Sequence, residues 1–213
     1  MENSVPSDIL EKWLSAWALS RKLPLPKKFK SGYKVDVGEE QQKARYVFAA
    51  LNNDFIELSE TISETWVFLK VCAHPEEIKN KISDRWVIQP QGYMMSCVSP
   101  MNIPSKSLPK GYHLEFDSYH ATTVVKVIYK DGELASIGHL VMVDGLAVYD
   151  RISTAENHQR KGLATFVMAA LEKIAISKNA YLNMLVATAQ GKLLYQTLGW
   201  KVFSPYTSIV IPS

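Results

Sequence analysis

The residues with the clearest chemistry are Gln159-Arg160-Lys161-Gly162-Leu163-Ala164. They fall between a strand-like run and a helix, reaching to about Ser177, in which Leu163, Phe166, Val167, Ala170, Leu171 and Ile174 share one face. The first amides of a helix find no acceptor inside it and stand at the positive end of its dipole. Such a turn takes phosphate when the backbone can come close. Gly162 has no Cβ, Ala164 is small, and Arg160 and Lys161 add positive charge. The same residues also suit an ordinary glycine turn. No Gly-Lys-Ser/Thr follows and there is no GxGxxG, so neither the triphosphate loop nor the dinucleotide fingerprint applies.

The flanking elements give the loop its setting. Asp131-Gly132 and Asp144-Gly145 are hairpin signals, and they divide three strands, 122–130, 133–143 and 146–154, into an antiparallel meander. A strand at 112–116 precedes them. After the helix come a strand at 181–186, a short helix at about 190–198 and two final strands, 201–203 and 207–211. Upstream, Leu10, Trp13, Leu14 and Trp17 predict an amphipathic helix over 7–20 with Ser7 as its N-cap. The two tryptophans read as core or as the wall of a cleft. A Pro- and Lys-rich connector (23–30) leads to a strand at 33–37. Ala44, Val47, Phe48 and Leu51 have helical spacing and predict a second helix, with a third at 55–63. A buried strand at 64–71, a helix from Pro75 to Ile82, strands at 85–89 and 93–98, and a linker at 99–111 complete this half.

Gln/Arg-x-x-Gly-x-Gly/Ala after an antiparallel meander and before a helix resembles the pyrophosphate loop of the GNAT (Gcn5-related N-acetyltransferase) superfamily. Leu185 to Trp200 (LVATAQGKLLYQTLGW) resembles the superfamily's strand, helix and "LY..LGF" signature, with Trp200 as the last aromatic. The two blocks come in the family's order and cover roughly residues 112–213. The resemblance implies an α/β (α+β) fold with a mixed, mostly antiparallel sheet flanked by helices. It makes 111–213 an acetyl-CoA-binding catalytic domain. Residues 1–110 are then either a degenerate copy of the same fold or an unrelated cap.

The resemblance also implies roles. The backbone from Gln159 through Arg160, Lys161, Gly162, Leu163 and Ala164, with Thr165 beyond, holds the pyrophosphate. Ile152, Ser153 and Thr154 pair with the pantetheine arm. Thr188 stands where the family commonly has Asn. Tyr195 protonates or hydrogen-bonds the leaving thiolate. The activity implied is transfer from acetyl-CoA to a primary amine by direct attack. The acceptor amine must be neutral to attack, so a base must take its proton. Asp150 is the first candidate, because strand alternation puts it on a face with Leu146, Val148 and Ile152, where burial favours a protonated carboxyl. The plainer reading is a salt bridge to Arg151 or another cation. Glu115, Asp117 and His139 are weaker candidates. The family's two helices between its first strands have no room here, so 1–110 is expected to wall the acceptor site instead.

The chain has 213 residues, 47% apolar and 21% charged, with a net charge of +3, which supports a globular protein and gives no case for nucleic acid. No apolar run nears the roughly 20 residues that cross a membrane, and the N-terminus lacks a signal peptide's basic region. The expectation is a soluble cytoplasmic protein acting on a small-molecule or peptide amine, with no membrane or nucleic-acid partner; a homodimer stays open. No histidine has metal-ligand spacing, so no metal is expected. Cys72 and Cys97 lie outside the motif half, which argues against a covalent enzyme intermediate. A non-catalytic acyl-CoA sensor and a protein-interaction module stay open as alternatives.

Overall fold

A computed structural model describes residues 5–212. The N-terminal half runs through α1 (Ser7–Ser20), β1 (Lys27–Phe29), β2 (Gly32–Glu39), β3 (Gln42–Phe48), α2 (Asn53–Thr61), β4 (Val67–Val71), α3 (Pro75–Ile78), β5 (Val87–Ile88) and β6 (Gly92–Cys97). The C-terminal half runs through β7 (Tyr112–Tyr119), β8 (Thr122–Tyr129), β9 (Leu134–Val143), β10 (Leu146–Thr154), α4 (Leu163–Ser177), β11 (Leu182–Ala187), α5 (Ala189–Thr197) and β12 (Lys201–Val210). The meander β8-β9-β10 forms as its turn residues direct: Asp144 and Gly145 both have positive φ (46° and 79°), the geometry of a tight hairpin turn.

Among the described residues the strands form one 12-stranded sheet, in the order β1-β2-β3-β4-β12-β6-β11-β10-β9-β8-β7, with β5 beside β12. Two neighbouring pairs are parallel, β3 with β4 and β10 with β11. Between them the halves trade strands. β6, from the N-terminal half, pairs with β11, whereas the far end of β12 pairs with β4. β6 and the near end of β12 pair with each other at the centre. This is the α/β architecture with a mostly antiparallel, helix-flanked sheet that the residues 112–213 motifs imply.

Helix α1 lies on one face of the sheet against β9 and β10 and reaches β2 through Tyr33. Its stripe Leu10, Trp13, Leu14 and Trp17 is buried with Val35, Val47, Met94, Val148 and Met184 from both halves. Helix α4 covers the opposite face of β8, β9 and β10, and α2 packs separately over β3 and β4 through Phe48, Phe55 and Leu69. β7 and β8 are joined by a two-residue turn, and α1 covers the neighbouring β9 and β10.

Four local expectations are corrected. Residues 42–48 are a strand, not a helix: Tyr46 and Phe48 face α2 while Val47 faces α1, so both sides are covered and the alternation that marks a strand is lost. The two final strands are one, β12, kinked by a bulge between Val202 and Ser204. The helix at Pro75 ends at Ile78. Ser7 does not cap α1, whose N-cap is Pro6; its hydroxyl bonds Tyr33 at 3.2 Å instead.

Candidate active site

Strands β10 and β11 pair over only three rungs, Leu146↔Leu182 to Val148↔Met184, and then part. On its other edge β10 stays with β9 but slips register between Asp150 and Ser153, where Arg151 has φ 53°. That bulge re-aims the side chains. Asp150 faces α1 with Leu146 and Val148, whereas Ile152 packs with the α4 core on the other side. Simple alternation had put Ile152 with Asp150, and the inserted residue is why it is not there. Among the described residues, the edge of β10 turned toward β11 has no strand partner from Tyr149 onward.

The gap so opened holds two joined clefts. One, of about 260 Å³, is lined by Arg21, Asp150, Arg151, Val186 and Ala187 among others. The other, of about 500 Å³, runs along Ser153, Thr154 and the loop residues Gln159, Arg160, Gly162, Leu163, Ala164 and Thr165. Ile152, Thr188, Gly191 and Tyr195 line both.

At the outer end, the amides of residues 160–164 have no acceptor among the described residues. Gln159 and Thr165 differ from the sequence expectation: their amides are taken internally, by Glu156 O at 3.2 Å and Gly162 O at 3.0 Å. Arg160 and Gly162 both have positive φ (62° and 76°), so successive N–H groups converge as an anion-binding concavity requires. No side chain caps α4, and a Cβ built on Gly162 would meet nothing within 4 Å. Lys161 turns away, its ammonium donating to Tyr112 Oη at 3.0 Å and Asn157 O at 3.1 Å. It lines a further recess of about 680 Å³ between α4 and the 101–109 linker, which shares Arg160, Gly162 and Thr165 with the cleft. Gln159 Nε2 lies 3.4 Å from Thr154 O, and Ser136 Oγ holds Ser153 O at 2.8 Å.

At the inner end, Tyr195 comes from α5, whose N-cap Thr188 accepts from Gly191 N at 3.1 Å. The Tyr195 ring is buried beside Trp200, and its hydroxyl has no protein partner among the described residues. Burial pushes its pKa up to about 12, so it is a neutral phenol with a proton to give. Gly191, which sequence reasoning missed, makes the space: a Cβ there would stand 3.2 Å from Tyr195 Cε2.

Asp150 is in an ion pair with Arg21, the residue just past α1, and also accepts from Ser20 Oγ at 2.5 Å. The partner is thus not Arg151, whose guanidinium donates to Ser20 O at 3.3 Å. Burial, with Arg45 and Arg151 nearby, brings Arg21 down to about 10, still a cation at neutral pH. His139 sits opposite Asp150 on β9, 4% exposed, with Nδ1 unpartnered; burial and the cations Arg151 and Arg21 lower it to about 4. Glu115 and Asp117 point to solvent on β7, engaged with His113 and Lys126. Asp150 is the one carboxylate lining either cleft among the described residues.

A strand pair that parts beside an uncapped helix start leaves, among the described residues, a free backbone edge and free amides along one cleft. Residues 95–200 match the model of the Acetyltransferase (GNAT) family, and through them the chain belongs to that family, whose fold and membership imply acyl-CoA-dependent acyl transfer. Solved structures agree on the fold. A GCN5-related N-acetyltransferase from Kribbella flavida superposes with a TM-score of 0.70 at 15% identity, covering 99% of this chain and 96% of that one. One from Sphaerobacter thermophilus gives 0.59 at 8%, covering 99% and 95%. A tandem GNAT protein from the clavulanic acid biosynthesis pathway gives 0.57 at 11%, covering 78% and 74%. At these identities the likeness is one of fold. No curated protein sequence matches significantly. No helix among the described residues is long and apolar enough to cross a membrane.

Proposed function

We propose that the protein transfers an acetyl group from acetyl-CoA to a primary amine by direct attack. The observation that carries this is one continuous cleft with free amides 160–164 at one end and the unpartnered Tyr195 hydroxyl at the other. The amides of Arg160, Lys161, Gly162, Leu163 and Ala164 hold the pyrophosphate. The open edge of Ile152, Ser153 and Thr154 takes the pantetheine arm, and Thr188, its oxygen already engaged by Gly191, keeps its proton to donate. Acetyl-CoA supplies the activated acyl group. As the amine forms its C–N bond, the ammonium proton passes to Asp150, directly or through water. Tyr195 gives its proton to the sulfur as the C–S bond breaks. Arg21 and Ser20 keep Asp150 aimed at the cleft.

The N-terminal half is read as a degenerate copy. Its meander β1-β2-β3, the crossover α2 and the parallel β4 repeat the order β8-β9-β10, α4, β11, and each half lends its last strand to the other. That correspondence supports duplication over an unrelated cap.

The test is thermal melting with CoA, followed by thiol release from acetyl-CoA over an amine panel. A ligand at 100 times its Kd stabilises by about 2.7 kcal/mol, a rise of roughly 5–10 °C for a chain of this size. No rise at millimolar CoA, or a rise with no thiol released for any amine, overturns the reading.

A further inference from the structure

Beyond the transfer point, the face of the sheet that carries α1 holds cations that the transfer chemistry does not use. Arg45 on β3 is 8% exposed, and its guanidinium lies 3.4 Å from the centre of the Trp17 ring. With the Gln42 amide oxygen turned toward it, Arg45 Nε finds a partner at 2.9 Å. It has no carboxylate within 4 Å among the described residues. Lys70 on β4 donates to Ser208 Oγ at 2.8 Å and sits over the rings of Phe68 and Tyr206, at 4.9 and 5.8 Å, again without a carboxylate. The Tyr206 ring is 4% exposed, and its hydroxyl is buried with no partner among the described residues. The Arg151 guanidinium, at the bulge, has only the carbonyl of Ser20 among the described residues. On this face Arg21 is matched by Asp150 and Lys126 by Asp117, whereas Arg45 and Lys70 have no such partner among the described residues.

Of these groups, Arg21 and Arg151 border the cleft. Arg21, which lines it, stacks on the same indole as Arg45, at 4.6 Å from the ring centre. The strands carrying Lys70 and Tyr206 meet across the β4–β12 pairing, where Ser208 stands opposite Lys70. A buried cation without a counter-charge is costly. Contact with an indole and hydroxyls offsets only part of that cost. The cost registers in the groups themselves: burial lowers Arg45 to about 10 against the pull of Tyr206 and Glu39, and burial with Arg45 and Arg21 nearby drives Lys70 well below its usual value. A ligand anion would complete what the fold leaves unpaired.

We propose that this cluster of cations reads an anionic group on the acceptor, so that the substrate is a small amine that also carries a carboxylate or a phosphate. The amine lies at Asp150 and Tyr195, and the anion lies against Arg45 and Lys70 with the Tyr206 hydroxyl donating to it. This deepens the acyl-transfer reading and rests on it.

The experiment compares three amines of equal chain length, ending in a carboxylate, a phosphate or a neutral carboxamide, in the acetyl-CoA thiol-release assay. An anionic amine is expected to have kcat/KM at least 100-fold above the carboxamide, and the carboxylate and phosphate arms tell which anion is meant. Lys70→Met and Arg45→Met should each shrink that ratio at least tenfold while keeping the CoA-induced rise in melting temperature, which reports that the variant is folded. Equal kcat/KM for the three amines overturns the inference, as does a preference that survives both substitutions. The wild-type comparison needs no variant, so it decides even where one fails to fold. Loss of the CoA response in the wild type overturns acyl transfer and this inference together, whereas a CoA response without anion preference overturns this inference alone.

Discussion

Tyr195 must hold its proton until a thiolate leaves, and its surroundings decide over what pH range it does so. The phenol is the acid form, present below its pKa; burial moves that value from 10 up to about 12. Ionisation of Tyr195 therefore takes nothing from the rate until roughly pH 11, one unit short of the pKa. A kcat profile that falls earlier with a Tyr195-dependent limb would contradict the assignment. Tyr195→Phe keeps the ring and loses the proton, so kcat should drop by about 10²-fold, the lower range for general acid catalysis, with the CoA-induced melting shift intact. An acyl-CoA sensor would show no such loss. His139 gives the matching prediction for stability. Its folded pKa of about 4 lies below the unfolded 6.5, so the unfolded chain binds the extra proton. Its contribution is whole above pH 6.5 and is lost as pH falls to 4, by roughly 3 kcal/mol. Denaturant melts of His139→Gln across that window should show a flatter acid limb than wild type.

Two glycines at the scale of single elements separate binding from turnover. Gly162 holds φ 76° in open space, so Gly162→Ala meets no clash and costs folding only the left-handed strain, about 1–2 kcal/mol. Relief of that strain would rotate the converging amides apart, and CoA Kd, measured by calorimetry, should rise at least tenfold. In α5 the opposite holds. Gly191→Ala gains helix propensity, about 1 kcal/mol, yet sets a methyl 3.2 Å from Tyr195 Cε2. Melting temperature should hold or rise while kcat falls. These elements also mark what was legible beforehand. The loop, its helix and the Tyr195 block were readable because each is local: a turn glycine, a helical stripe and an aromatic at short range. The Asp150 environment was not, since Arg21 lies 129 positions away and nothing near either residue announces the pairing. The bulge at Arg151 was hidden as well, because an inserted residue leaves composition unchanged while reversing every face after it. Strand β3 was misread for the same kind of reason, its two covered faces giving Ala44, Val47, Phe48 and Leu51 the spacing of a helix.

At the scale of the molecule, the exchange of β6 and β12 decides what the halves can do separately. Each half needs a strand from the other to complete its sheet, so heat or urea should unfold the chain in one transition by every probe. The halves are nonetheless unequal as sites. Strands β10 and β11 part after three rungs, whereas β3 and β4 stay paired over five, from Ala44↔Val67 to Phe48↔Val71. At the equivalent place in the N-terminal half lies a cleft of about 570 Å³ along Leu51, Cys72, His74 and Glu77, floored by β12 and with no lysine or arginine in its lining. The start of α2 is already capped, Asn52 Oδ1 accepting from Phe55 N at 3.1 Å, so no anion is called for. The carboxylate of Glu77 accepts from His74 N at 2.6 Å and would repel a phosphate brought to α3. Calorimetric titration should therefore give one CoA per chain. A Gly162→Val variant, with a branched side chain standing in the cradle, should abolish that binding and uncover no second event. Two CoA per chain, or stoichiometric binding that persists in the variant, would mean that the closed half still takes nucleotide.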